Sequence, residues 1–200
     1  MTPIKTINSR VPGLVAHIYQ DFAPVSPAEW DNLGEITYNK AARYVLGTHP
    51  KSAEQDAEIA RMVRDGEAYG LPVWAYVHSG STIKAALTNP FGCPWDSGRS
   101  GWAYVMKDKA LKEFGRKLPS RKLKFRILDV LKGEVETFNQ WLNGDVYGYR
   151  IELNGEQVDS CWGMYGLEET VKEVTLLLEL EARRIAPMQQ MELELQGATA

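Results

Sequence analysis

Two stretches near the middle and start of the chain alternate with a period of two. They are "GLVAHIYQ" at residues 13–20 and "LPVWAYVHSGSTIKAAL", where Val73, Ala75 and Val77 alternate with Trp74, Tyr76 and His78. This predicts strands, with a turn at "HSGS". A third stretch, "DVYGYRIELNGEQVDSCWGMYG", alternates at Tyr147, Tyr149, Ile151 and Leu153 and runs back from Val158 to Trp162. Asn154-Gly155 between the two runs suits a tight turn, because both residues tolerate positive φ, so an antiparallel hairpin is predicted over 146–162. "GWAYVMKD" reads as one more short strand.

Elsewhere the period is 3.6. "SAEQDAEIARMVRDGEAYG" predicts a helix over 53–69, with Ser52 as its cap, Ile59, Met62 and Val63 on one face, and Gly70 and Pro72 as its stop. "KDKALKEFG" predicts a short helix ending at Gly115. A long one over 120–142 starts at Ser120 and carries a stripe of Leu123, Ile127, Val130, Leu131, Val135, Phe138, Trp141 and Leu142. Gly133 inside it costs about 1 kcal/mol against Ala and marks a close contact or a kink. "LEETVKEVTLLLELEARRIA" predicts a last helix over 167–186, stopped near Pro187. Pro24 and Pro27 keep residues 22–39 irregular, with Ser26 placed to cap a turn at "PAEW".

Hairpins separated by helices indicate an α+β fold, a mainly antiparallel sheet packed by three to four helices. A single domain over 1–187 is expected, with 188–200 a frayed tail. Its core should include Val77, Ile127, Leu131, Phe138, Ile151, Val174 and Leu178.

Composition adds exclusions. With 200 residues, 44% apolar and 24% charged, the chain has the make-up of an ordinary globule. It has no apolar run like a signal peptide and nothing near the ~18 residues of a membrane span. Cys93 and Cys161 form no disulfide framework, so unbonded thiols in a reducing cytoplasm are expected. Net charge is −3, yet residues 107–126 hold nine basic and two acidic residues, a net +7 that leaves −10 for the other 180. The plainer reading of this belt, Lys107 to Arg126, is a solvated face. The functional one is a dock for phosphate, nucleotide or nucleic acid, which is less favoured.

Five patches, "EWDNLG" (29–34), "YVHSGSTI" (76–83), "CPWDSG" (93–98), "ETFNQWLNGDVYGYRI" (136–151) and "DSCWGMYG" (159–166), together resemble a family of small uncharacterised proteins encoded by bacteriophages and mobile elements. The resemblance implies a phage accessory protein working in the host cytoplasm. It supplies no catalytic residues. In that family a His often follows "DNLG"; here the stretch is "EITYNKAARY", with Asn39 and Lys40 instead, so no role of that His carries over.

Candidate chemistry is limited. His78, Cys93, Asp96, Asp159 and Cys161 are zinc-ligand types, but they lack the close pairs of structural zinc sites, and neither metal nor cofactor is expected. A thiol-enzyme set of Cys93, His78 and Asp96 or Asp31 is conceivable, as is a Ser79 or Ser81 nucleophile. No G-x-S-x-G, P-loop or G-x-G-x-x-G motif accompanies them. Pro94 also removes the N–H that an oxyanion hole commonly takes from the residue after the nucleophile.

If the loop and hairpin ends converge, His78, Trp95, Asp96, Arg99, Asp159, Trp162 and Tyr165 line one surface suited to a planar ligand. The plainer reading is that these aromatics pack under their own loops. The expected function is therefore a noncatalytic binder of a host factor or a small anionic, nucleotide-type ligand, serving counter-defence. A hydrolase is the alternative. A DNA mimic is disfavoured by a charge of only −3 and a basic belt. The sequence sets no oligomeric state.

Overall fold

The computed structural model describes residues 1–197, the last ten of them as backbone alone. In chain order the strands are β1 (Lys5–Asn8), β2 (Leu14–Gln20), β3 (Glu35–Asn39), β4 (His49–Lys51), β5 (Ala68–Val77), β6 (Ser81–Ala85), β7 (Ser97–Met106), β8 (Val146–Leu153) and β9 (Glu156–Tyr165). The helices are α1 (Ala53–Asp65), α2 (Lys107–Glu113), α3 (Arg121–Leu142) and α4 (Leu167–Gly197). The class is α+β and the sheets are mostly antiparallel, as the periodicity predicts. Two compact units form: Met1–Val25 with the chain from Gly144 onward, and Ser26–Asn143.

In the first unit a four-stranded sheet, ordered β1-β2-β8-β9, is packed on one face by α4. Leu14, Ala16, Ile18, Tyr147, Tyr149 and Ile151 meet Val174, Leu178 and Ile185 there. The predicted hairpin is β8–β9, with Asn154 at φ 53° and Gly155 at φ 88° in the turn. Gly166 opens α4, and Asp145 accepts from the Leu167 N–H at 3.2 Å. Pro187 does not stop this helix, which continues to Gly197. A proline removes one donor only, and the residues beyond it, "MQQMELELQ", are strong helix formers. The expected frayed tail is thus helical backbone as far as Gly197; residues 198–200 lie outside the described residues.

In the second unit a five-stranded sheet is ordered β4-β3-β7-β5-β6, antiparallel except for β3–β4. The α3 stripe (Leu123, Ile127, Leu131, Val135, Phe138) packs on Val73, Ala75, Ile83, Ala103 and Val105. Helix α1 lies on the other face, where a Cβ on Gly70 would come within 2.9 Å of Val63. Ser52 and Gln55 close a capping box at the start of α1, and Ser120 caps α3. Gly133 marks no close contact, since a Cβ there would meet open space.

Three further expectations need correction. Residues 35–39 are not irregular but form β3, because β7 and β4 pair with them on either side. Helix α1 ends at Asp65, because Gly66 adopts φ 78° and closes it, and Gly70 and Pro72 lie inside β5. Pro72 fits because β6 ends opposite Val73: Ala86 N–H still donates to Pro72 O, and the Trp74 indole N–H donates to Ala86 O at 3.0 Å where a Pro72 N–H would have done so. Val77, expected in the core, is only half-buried at the end of β5, next to the exposed turn.

The middle of β7 is held by side chains acting as backbone. The buried Thr37 hydroxyl accepts from Trp102 N–H at 3.0 Å and donates to Trp102 O at 3.1 Å. The Ser100 hydroxyl serves Leu46 the same way, accepting from N–H at 3.0 Å and donating to the carbonyl at 2.7 Å. Between them Gly101 presses on the Thr37 carbonyl, where a Cβ would sit at 2.2 Å. Gly101→Ala is expected to destabilise by about 2–3 kcal/mol, the cost of overpacking against backbone. Gly80→Ala, with open space around it, should change stability by less than about 1 kcal/mol. Urea unfolding of both variants checks the contrast, and equal losses would contradict it.

Candidate functional site

The loop between β6 and β7 is built from its own hydrogen bonds. Ser97 Oγ donates to Cys93 O at 2.5 Å and accepts from Asn89 Nδ2 at 2.8 Å. Asn89 Oδ1 takes the Phe91 N–H at 3.0 Å, and Tyr44 OH donates to Trp95 O at 3.2 Å. Val77 N–H donates to Asp96 O at 2.8 Å, tying the loop to the end of β5. Phe91 stacks on Tyr76 with ring centroids 5.5 Å apart. Small polar residues and glycines let this chain fold on itself, and two large apolar side chains, Leu87 and Trp95, are left outside. Trp95 is 78% exposed.

Beside it, three expected residues do come together. Asp96 Oδ2 lies 3.3 Å from His78 Nδ1 and 3.4 Å from Cys93 Sγ. The imidazole is 65% exposed. The order matters chemically: the carboxylate oxygen stands between thiol and imidazole, whereas a thiol nucleophile needs the imidazole next to sulfur and the acid behind it. Asp31 is elsewhere, in a groove of about 290 Å³ with Lys109, Glu113 and Glu134. Among the described residues no three His, Cys, Asp or Glu side chains are arranged to hold a metal ion. Both cysteines are free thiols.

Arg99 has a different task from the one its loop position implies. It forms a two-pronged pair with Asp56 of α1, Nη2 to Oδ2 at 2.5 Å and Nη1 to Oδ1 at 3.3 Å, while its guanidinium lies 5.5 Å from the centre of the Trp102 ring. The Asp56 side chain is only 4% exposed. The pair locks α1 onto β7.

Asp159, Trp162 and Tyr165 belong to the first unit, and alternation along β9 divides them. Asp159 pairs with Ile151 and accepts from Tyr149 OH at 2.7 Å, on the face covered by α4. Burial, then this bond, pushes the Tyr149 phenol well above its ordinary range. Trp162 pairs with Gly148 on the opposite face. Its ring lies flat over that glycine, where a Cβ would come within 2.3 Å of it, and stacks 6.2 Å from Tyr19. Gly163 is the unpaired residue of a bulge, at φ 77°. Tyr165 OH donates to Val25 O at 3.1 Å. Asp159 and Trp162 therefore do not share a surface.

One residue escaped the sequence reading. Glu134 of α3 accepts two successive N–H groups, Leu33 at 2.6 Å and Gly34 at 3.1 Å, and so clamps "EWDNLG". Gly34 leaves room for Leu131, which a Cβ would strike at 2.2 Å. Glu134 sits among polar positions of the helix, and only the fold shows its partners. Comparison of the chain with protein-family models, with curated proteins and with solved structures finds no match.

Arg99→Met leaves the Asp56 carboxylate buried without its partner, and a loss of about 3 kcal/mol is expected on urea unfolding; a loss below about 1 kcal/mol would contradict the role of the pair. Glu134 gives a pH test. Burial holds its carboxyl above the ordinary 4.5, against the two N–H donors and Lys109. The folded chain thus holds this proton more tightly than the unfolded one, and stability falls as pH rises from 4.5 through the folded value. Relative to Glu134→Gln, the wild type should lose stability across that window. A difference independent of pH would contradict it.

Proposed function

We propose that this chain is a bacteriophage accessory protein that works by binding, without a reaction of its own. Its partner is a host factor or a small nucleotide-type ligand, and its use to the phage is to blunt host defence. The observation that carries the reading is Trp95, 78% exposed on a loop whose polar groups are satisfied internally. An ordered loop that presents an indole loses little entropy on binding, and Trp is among the residues that most often dominate an interface. His78 and Asp96 stand beside it as polar contacts. The resemblance of the five patches to phage proteins supports the setting. The position of Asp96 between Cys93 and His78 weighs against the hydrolase alternative.

The test is native mass spectrometry of the protein purified from phage-infected bacteria. Wild type should carry a bound molecule or host protein. Trp95→Ala should lose it with stability changed by less than about 0.5 kcal/mol, as for a surface substitution. Retention of the bound species by Trp95→Ala would contradict the reading. Turnover of that species, abolished by Cys93→Ser or His78→Ala, would establish the hydrolase instead.

A further inference from the structure

The second unit has another charged surface, at the far end of β7 from the loop and about 30 Å from it along a ten-residue strand. Helix α2 starts directly at Lys107, and a turn through Gly115, at φ 60°, leads to α3. The nine bases of this segment are Lys107, Lys109, Lys112, Arg116, Lys117, Arg121, Lys122, Lys124 and Arg126. All but Lys107 belong to exposed residues. Among the described residues none of the nine has a carboxylate within ion-pair distance, although ion pairs occur elsewhere in the unit, at Arg61, Lys51 and Arg99. Lys109 alone has a polar protein partner, the Asn32 carbonyl at 3.0 Å. A face meant only for solubility normally mixes its signs. This one concentrates +7 in twenty residues against −10 for the remainder.

Phe125 stands in the middle of the run, 56% exposed, with the Arg121 guanidinium 5.6 Å from its ring centre. Open cations around an exposed aromatic ring suit phosphates with an unpaired base between them. We infer that residues 107–126 form a binding surface for single-stranded nucleic acid, with the cations on its phosphates and Phe125 stacked on a base. An anionic membrane fits less well. Insertion needs a continuous apolar helix face; Ala110, Leu111, Leu123 and Ile127 are buried in the core, and the exposed Leu118, Phe125 and Val130 are separated by cations and form no such face. Paired bases would leave Phe125 nothing to stack on.

The experiment is fluorescence anisotropy of a labelled oligothymidine with the full chain over a series of salt concentrations. Affinity should fall with salt, with a log–log slope of about −0.7 for each phosphate contacted. The triple substitution Arg116→Gln, Lys117→Gln, Lys122→Gln should weaken binding at least tenfold and flatten the slope by about 2. Phe125→Ala should weaken it about tenfold with the slope unchanged. Lys84→Gln, an exposed cation on β6, should change neither. Circular dichroism melts confirm that each variant is folded. Absence of salt-dependent binding, or binding untouched by the triple substitution, would overturn the inference. So would tighter binding to a duplex of the same length, or to phosphatidylserine vesicles, at equal salt.

Discussion

The contact of Gly101 with the Thr37 carbonyl is the constraint around which the second unit is arranged. No side chain fits between β7 and β3 at that point, so two hydroxyls, on Thr37 and Ser100, continue the pairing that backbone groups would otherwise make. With its middle fixed in this way, β7 sets the positions of everything attached to it. The Trp95 loop enters at Ser97, Arg99 reaches to Asp56 of α1, and α2 leaves at Lys107. One strand thus aims the loop at one end and the basic helix at the other.

Many residues in the five sequence patches are accounted for by folding alone. Gly34 makes room for Leu131, Gly148 for the Trp162 ring, and Gly163 for a bulge; Asp145 holds the start of α4, and Ser97 stitches its loop. Among the large side chains of these patches Trp95 is the most exposed, and the exposed His78 ring lies against Asp96 next to it in the chain. The functional reading rests on these residues. An exposed indole gains nothing from packing, and on the proposed reading its place on a stiffened loop serves a partner, as Trp does at many interfaces.

Signals that are local in sequence were legible in advance. Asn154-Gly155 specifies the hairpin turn by its own dihedral preferences, and the α3 stripe from Leu123 to Phe138 shows its buried face through spacing alone. Ser52 and Ser120 were readable as caps for the same reason. The start of β5 was not, because Gly66, Gly70 and Pro72 are all plausible helix stops and only the β6 and β7 neighbours decide among them. Strands β3 and β4 are short and lie in proline-broken sequence, so they owe their existence to pairing. Arg99 looked like a ligand contact because its partner, Asp56, lies 43 residues away on a helix face. Asp159 and Trp162 looked like neighbours because reading a motif as a string ignores that strand residues of opposite parity face opposite ways.

The central claim is that the Trp95 loop is ordered before any partner arrives. Hydrogen–deuterium exchange on the free protein tests it most directly, through the amides of Val77, His78 and Phe91, which donate to Asp96 O, Gly80 O and Asn89 Oδ1. The account predicts exchange slowed at least about tenfold at all three relative to an unstructured peptide, since each opening must break a bond of a connected network. Exchange at the unstructured rate across residues 89–97 would mean that the loop is not built in advance, and the binding surface assigned to Trp95 would have to be abandoned.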